Sequence, residues 1–282
     1  TARWVAMYRA MESERTDALF RDPFARKLAG QQGEEILRTL PKARQFAWPM
    51  IVRTAVMDEI ILRAVDRDAA DTVINLASGL DTRPYRLALP RTLRWFDADF
   101  LDMVRYKQEQ MAGDRPVCQL EYAPVDLTDA AARRAFLQRA AAGAKRALVI
   151  AEGLLAYLKA EDVAALAKDL HAQRAFQWWL IDLGSPRLLK MLARTWGRSL
   201  KASGAPLIFG PAEGTAFFRP HGWEEREYRA IWEESLRLNR TMKGARFWNW
   251  LFRFYPRRTR EEMKRMSGIV LLERTAATLP AN

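Results

Sequence analysis

Cysteine and histidine are nearly missing from this 282-residue chain: it holds one Cys118, and only His171 and His221. A single thiol excludes an internal disulfide, and one thiol with two imidazoles does not make a usual four-ligand zinc site, so no metal is expected. Long apolar runs are missing too. No window reaches the roughly 18 uncharged apolar residues of a membrane helix, and the stretch TARWVAMYRAMESER lacks the apolar segment of a secretory signal. A soluble, cytoplasmic protein with no membrane partner is therefore expected. Glycine-rich turns are scarce as well, which disfavours a pyrophosphate ligand, because backbone approaches that group closely only where several glycines allow it.

What is present suits one globular domain with an appended or inserted cap: 49% of residues are hydrophobic and 28% charged. The 46 basic residues outnumber the 34 acidic ones, and the excess is uneven. From Arg237 to Arg265 stand ten Lys and Arg against Glu261 and Glu262, interleaved with Phe247, Trp248, Trp250, Phe252, Phe254 and Tyr255. Such a mixture suits a nucleic-acid surface, or a helix with an aromatic core face and a solvated basic face. Near-helical spacing of the rings favours the second, and no nucleic-acid partner is expected.

Periodicity then sets the architecture. Apolar residues recur at three and four from about Tyr8 to Arg67, with LFRDPFARKLAG reading as a turn into a helix that stops at Gly30. Strand candidates follow at 72–77, 93–98, 119–125, 147–151 and 176–183, separated by helical stretches at 102–111, 129–142 and AEDVAALAKDL. Strands alternating with helices predict a doubly wound α/β fold with a mostly parallel sheet covered on both faces. After Gly184 the rhythm breaks into a helix at 186–200, the irregular stretches SGAPLIFGPAEG and FFRPHGWEEREY, the basic helices and a last strand, GIVLLERT.

In an open sheet of this kind ligands sit beyond the carboxyl ends of the strands, so the turn after the first strand, Ala77-Ser78-Gly79 in VINLASGLDTR, is the expected contact. Twenty residues past Gly79 stands Asp99, where a carboxylate can accept both hydroxyls of a ribose. Asp97 shares its face by strand alternation, and spacing alone does not choose between them. Asp126 in VDLTDA follows the third strand and Glu152 in IAEGLLAYL the fourth, so acids mark the tips of successive strands. Thr128 or Asp129 serves better than Asp126 as the cap of the helix that follows.

RAMESERTDALFRDPFA, RTAVMD, VINLASGLDTRPYRL, WFDADF, VDLTDA, IAEGLLAYL and the closing GIVLLERT resemble, in order, the leucine carboxyl methyltransferase superfamily in its bacterial polyketide O-methyltransferase-like branch. The resemblance implies a Rossmann-like class I methyltransferase that uses S-adenosylmethionine. It implies a seven-stranded sheet with an antiparallel last strand, an N-terminal helical lid at 1–68, a cofactor core at 69–184, a helical acceptor-site insertion at 185–266 and a closing strand at 267–276. It makes Arg53 the partner of the cofactor carboxylate, with Arg15 as a second cation from the lid, and Gly79 the position of close approach. Asp99 would hold the ribose, Asp126 and Leu127 would meet the adenine, and Glu152 the ammonium. A zwitterionic tail does need one cation and one anion, and a guanidinium grips a carboxylate with two hydrogen bonds. Ala77 stands where the family usually has the first glycine of its turn.

The implied reaction is O-methylation of an acidic or phenolic small molecule, or alternatively of a protein's C-terminal carboxylate. An RNA- or DNA-modifying role fits less well, because AEGL occupies the place where base-amine methyltransferases carry an Asn or Asp followed by Pro-Pro and an aromatic residue. A carboxylate acceptor arrives ionised, whereas a phenol requires a base or nearby cations. His221 in FFRPHGW is the candidate base and Arg219 the candidate group orienting an acidic acceptor, although a hydrogen-bonded loop histidine is the more ordinary reading of His221.

Overall fold

β1 (Thr72–Leu76) and β4 (Ala147–Ala151) are buried along their whole length, as continuous Val, Ile, Leu and Ala runs require when a strand has a neighbour on each edge and a helical layer on each face. They form the middle of a seven-stranded sheet of order β3-β2-β1-β4-β5-β7-β6, completed by β2 (Arg94–Asp99), β3 (Gln119–Pro124), β5 (Phe176–Gly184), β6 (Trp223–Ala230) and β7 (Ser267–Arg274). The first five strands are parallel; β7 runs antiparallel to both β5 and β6. The computed structural model describes residues 2–39, 47–202 and 206–275.

Alternation along each strand feeds two cores. Ile74, Leu76, Val149 and Trp179 face α6 (Ala130–Ala141) and α7 (Ala160–His171), while Val73, Trp95, Leu148, Ile150 and Leu180 face α3 (Trp48–Asp66). α3 thus packs directly on the sheet through Val52, Val56, Met57, Ile60 and Ile61. α1 (Ala2–Ser13) and α2 (Ala25–Thr39) form a smaller core of their own with Leu80 and Tyr85. The remaining helices are the short α4 (Arg83–Arg86), α5 (Leu101–Gln110), α8 (Pro186–Ala202), and α9 (Ile231–Arg237), α10 (Ala245–Phe252) and α11 (Arg257–Lys264) between β6 and β7. No helix among the described residues is long and apolar enough to cross a membrane.

Three expectations are corrected. Gly30 does not end its helix: at φ 60 and ψ −172 it kinks α2, which continues to Thr39. WEEREY is strand rather than irregular segment. It forms the sheet's outer edge, where alternating charged residues tolerate solvent on one side, so its signal resembles that of a polar loop. The aromatic residues of α10 and the turn after it do not form a core face: Phe247, Trp248 and Trp250 on the helix and Phe254 and Tyr255 beyond it are exposed, and only Phe252 is half-buried, against Trp232.

Candidate active site

The turn after β1 takes the left-handed conformation twice, at Ala77 (φ 51) and Gly79 (φ 50). Ala77 adopts the left-handed backbone that glycine takes most readily. The turn is tied to the tip of β2: the Ser78 amide donates to the Ala98 carbonyl at 3.1 Å and the Gly79 amide to Asp99 Oδ2 at 2.7 Å. Asp99 Oδ1 accepts from the Phe100 amide at 2.7 Å. Burial pushes the Asp99 carboxyl above its ordinary range against the pull of these two amides.

Asp97, on the same face, has a different employment. Fully buried, it accepts from Lys107 Nζ at 2.6 Å, Trp95 Nε1 at 2.9 Å and Asn75 Nδ2 at 3.3 Å. These donors fix the underside of the site and leave Asp99 as the acid at the tip. Asp126, beyond β3, is exposed and accepts from the amide and hydroxyl of Thr128 at 2.8 and 2.7 Å, an arrangement that holds its carboxyl below the ordinary range. Asp129 caps α6, accepting from the Ala131 and Ala132 amides. Leu127 packs against the core beside it, and its carbonyl accepts from Arg133 at 2.7 Å.

The structure brings Arg53 and Glu152 together. Arg53, buried on α3, lies 2.9 Å from Glu152 Oε1 through Nε, and its Nη1 donates to Asp182 Oδ2 at 2.9 Å. Asp182, near the end of β5, also accepts from the Gly153 amide at 2.6 Å. Glu152 in turn meets Arg83 at 2.7 Å, and Arg83 meets Asp58 at 2.6 Å and Asp81 at 2.7 Å. Arg86 continues through Asp58 to Asp22, which Arg9 holds at 2.8 Å. Burial alone would raise the Glu152 carboxyl; Arg83 and Arg53 outweigh it and hold the group below its usual range. Asp81, Arg83 and Arg86 of LDTRPYR, Asp58 of RTAVMD and Asp22 of DPF, which carry no assigned task in the sequence, are thus links of one ion-pair network with Arg53 and Glu152; Asp182 is marked by no sequence signal.

Other candidates lie apart. Arg15, exposed just beyond the end of α1, is paired with Asp17 at 2.9 Å. β6 runs parallel to β5, so its first residue, Trp223, paired with Arg274, sits at the end of the sheet opposite the strand tips. His221 and exposed Arg219 immediately precede it, about one eight-residue strand, roughly 23 Å, from the tip level. His221 lies edge-on to Phe217 at 5.5 Å, its Nδ1 buried, and burial together with Lys168 lowers its pKa. His171 packs against Trp223 at the same end. A shallow polar depression of about 110 Å³, lined by Glu224, Arg226, Glu273 and Arg274 among others, is also there, remote from Arg53 and Asp99.

Comparison with known proteins gives this geometry a family. The family model described as leucine carboxyl methyltransferase matches residues 2–171. The chain belongs to the leucine carboxyl methyltransferase family. A Streptomyces coelicolor protein provisionally named an S-adenosyl-L-methionine-dependent methyltransferase is 31% identical over 79% of this chain and 82% of its own length. A Mycobacteroides abscessus relative with the same provisional name is 34% identical, and there the match spans 60% of each chain. The crystal structure of a DUF574 family protein from Streptomyces avermitilis superposes with a TM-score of 0.60 at 11% identity, covering 98% of this chain and 97% of that one, a likeness of fold.

The cofactor of this family of methyltransferases is S-adenosylmethionine, and the residues at the tips suit it. Arg53 Nε is buried and close to Glu152 without an aligned hydrogen bond. Gly153, at φ 64, leaves the space beside that guanidinium open, since a Cβ there would lie 3.3 Å from Arg53 Nη1. Arg53 beside Glu152 and Asp182 offers both a cation and anions for the two charges of an amino acid end, and Asp99 beside the left-handed turn suits a ribose.

Proposed function

We propose that the chain is a cytosolic O-methyltransferase of small organic acids of the polyketide type, with a carboxylate as the acceptor. Bound S-adenosylmethionine supplies an electrophilic methyl group. Arg53 would hold its carboxylate, Glu152 and Asp182 its ammonium, Asp99 its ribose and the Ala77–Gly79 turn the backbone contact, while Asp126 and Leu127 would flank the base. The exposed carboxylate of Asp126 keeps Oδ2 outside its Thr128 bonds and can accept from an exocyclic amine.

The observation that carries the choice of acceptor is the position of the histidines. Both His171 and His221 lie at the far end of the sheet, so the tips have no imidazole to take a phenolic proton. An acceptor that arrives ionised requires none: a carboxyl with an ordinary pKa near 4 is deprotonated at neutral pH. The remaining task is alignment in a dry site, which the buried tip residues serve.

The test is a panel of carboxylic acids, phenols and a peptide ending in leucine, each incubated with methyl-labelled cofactor and read by mass spectrometry. Methyl esters of small acids are expected, and His221→Ala should retain turnover within about twofold, against the hundredfold or larger loss expected for a catalytic base. Phenyl ethers lost in His221→Ala would overturn the reading, and esterification confined to the peptide would move the acceptor to a protein terminus.

A further inference from the structure

α10 is apolar on two sides, and only one of them is used. Its inner side meets α9, with Phe252 edge-on to Trp232 at 5.9 Å and Asn249 Oδ1 accepting from Trp232 Nε1 at 3.3 Å. On the outside Phe247 and Trp250, with Phe254 in the turn just after the helix, are 60%, 52% and 71% exposed; Trp250 touches both others, with ring centroids 6.1 and 5.1 Å apart. Exposed Trp248 extends this patch through Phe247, at 6.1 Å between ring centroids.

Cations border the rings. Lys243, Arg246, Arg253, Arg257 and Arg260 are exposed, and no acidic side chain lies within ion-pair distance of them among the described residues. α10 itself contains no acid; on α11 Glu262 is paired with Arg258, and exposed Glu261 is near Lys264 and Arg265. A continuous aromatic patch inside a basic border is complementary to one kind of surface: rings settle at the boundary of headgroups and acyl chains while Lys and Arg reach anionic headgroups. A nucleic acid would be served differently, by ring faces set out for bases to stack on. Here two of the three ring contacts are edge to face, at 76° for Trp250–Phe254 and 70° for Phe247–Trp248, and Phe247 and Trp250 are tilted by 32° against each other, so the rings pack on one another rather than standing apart to receive bases.

We infer that the outer face of α10 and the adjoining basic residues of α11 form a docking surface for an anionic lipid bilayer. The surface joins the sheet at Ala230 and Ser267, level with the tip of β5, so docking takes place at the same end of the molecule as the candidate active site. A sparingly soluble acid held in the bilayer would then be presented to that end.

The experiment is co-sedimentation of the full chain with phosphatidylcholine vesicles and with phosphatidylcholine–phosphatidylglycerol vesicles. Binding is expected to the anionic vesicles, weakened about tenfold or more by high salt. The triple variant Phe247→Ala, Trp250→Ala, Phe254→Ala should lose it by about tenfold or more. These side chains are exposed, so cofactor affinity and thermal midpoint should be unchanged; a second variant, Arg253→Glu with Arg257→Glu, tests the charge without touching the rings. No binding to either vesicle, or equal binding by the native chain and both variants, overturns the inference. So does retention of RNA or DNA, or ring-dependent self-association, in a protein that ignores vesicles.

Discussion

Asp97 and Asp99 stand two residues apart on one face of β2 and do unlike work. Spacing in the sequence cannot separate them, because what distinguishes them is who donates to each: Lys107, Trp95 and Asn75 to the first, two tip amides to the second. Asp99→Asn keeps the shape but turns one acceptor into a donor facing an amide. Cofactor affinity by calorimetry should fall about tenfold or more, since hydrogen bonds to a charged group contribute about 1.5–3 kcal/mol each. Lys107→Met should leave that contact in place and instead lower stability, because it strands a buried carboxylate; removing one member of a buried pair costs about 3–5 kcal/mol. Adding Asp97→Asn to Lys107→Met should restore part of the urea midpoint, as the stranded charge is gone.

At the scale of elements, the buried strands and the helices between them were legible because one apolar period persisted over each: β4 begins and ends where its Ala-Leu-Val-Ile-Ala run does. β6 was not, since an edge strand with five charged residues has the composition of a loop. α10 misled for the opposite reason, its rings recurring at helical spacing as core residues do while lying on the outside. Sequence cannot tell a glycine that ends a helix from one that bends it, and Gly30 bends α2. Its φ of 60 is the cause of the bend, and a Cβ there would lie 3.3 Å from Arg3 Nη1. Gly30→Ala should therefore destabilise the α1–α2 unit by about 1–2 kcal/mol, the strain of a side chain in the left-handed region, measured as a drop in the urea midpoint.

Across the whole molecule the ion-pair network joins α1, α3, α4 and the tips of β4 and β5 through four guanidiniums and five carboxylates, Asp22, Asp58, Asp81, Glu152 and Asp182. The individual motifs were visible in the sequence; that they close on one another was not, because the partners lie up to 129 positions apart and only the fold supplies the meeting. The network makes the site sensitive to acid. Burial raises Asp81 and Glu152, but Arg83 with its neighbouring cations outweighs it, and both fold with carboxyls below their ordinary range. Unfolded, they titrate near 4, so below that pH the unfolded chain binds more protons than the folded one. Stability then rises with pH, is complete above the unfolded value, and is lost as pH falls toward the folded one. Asp97 and Asp99, raised mainly by burial, act with the opposite sign: what they contribute is present below about pH 4 and lost as pH rises through their raised values. The two groups can be separated by measurement. Urea midpoints between about pH 3 and 6 should rise with pH in the native chain. In Glu152→Gln the rise should be shallower, since one carboxylate of the network no longer titrates, whereas Asp97→Asn should steepen it by removing an opposing term.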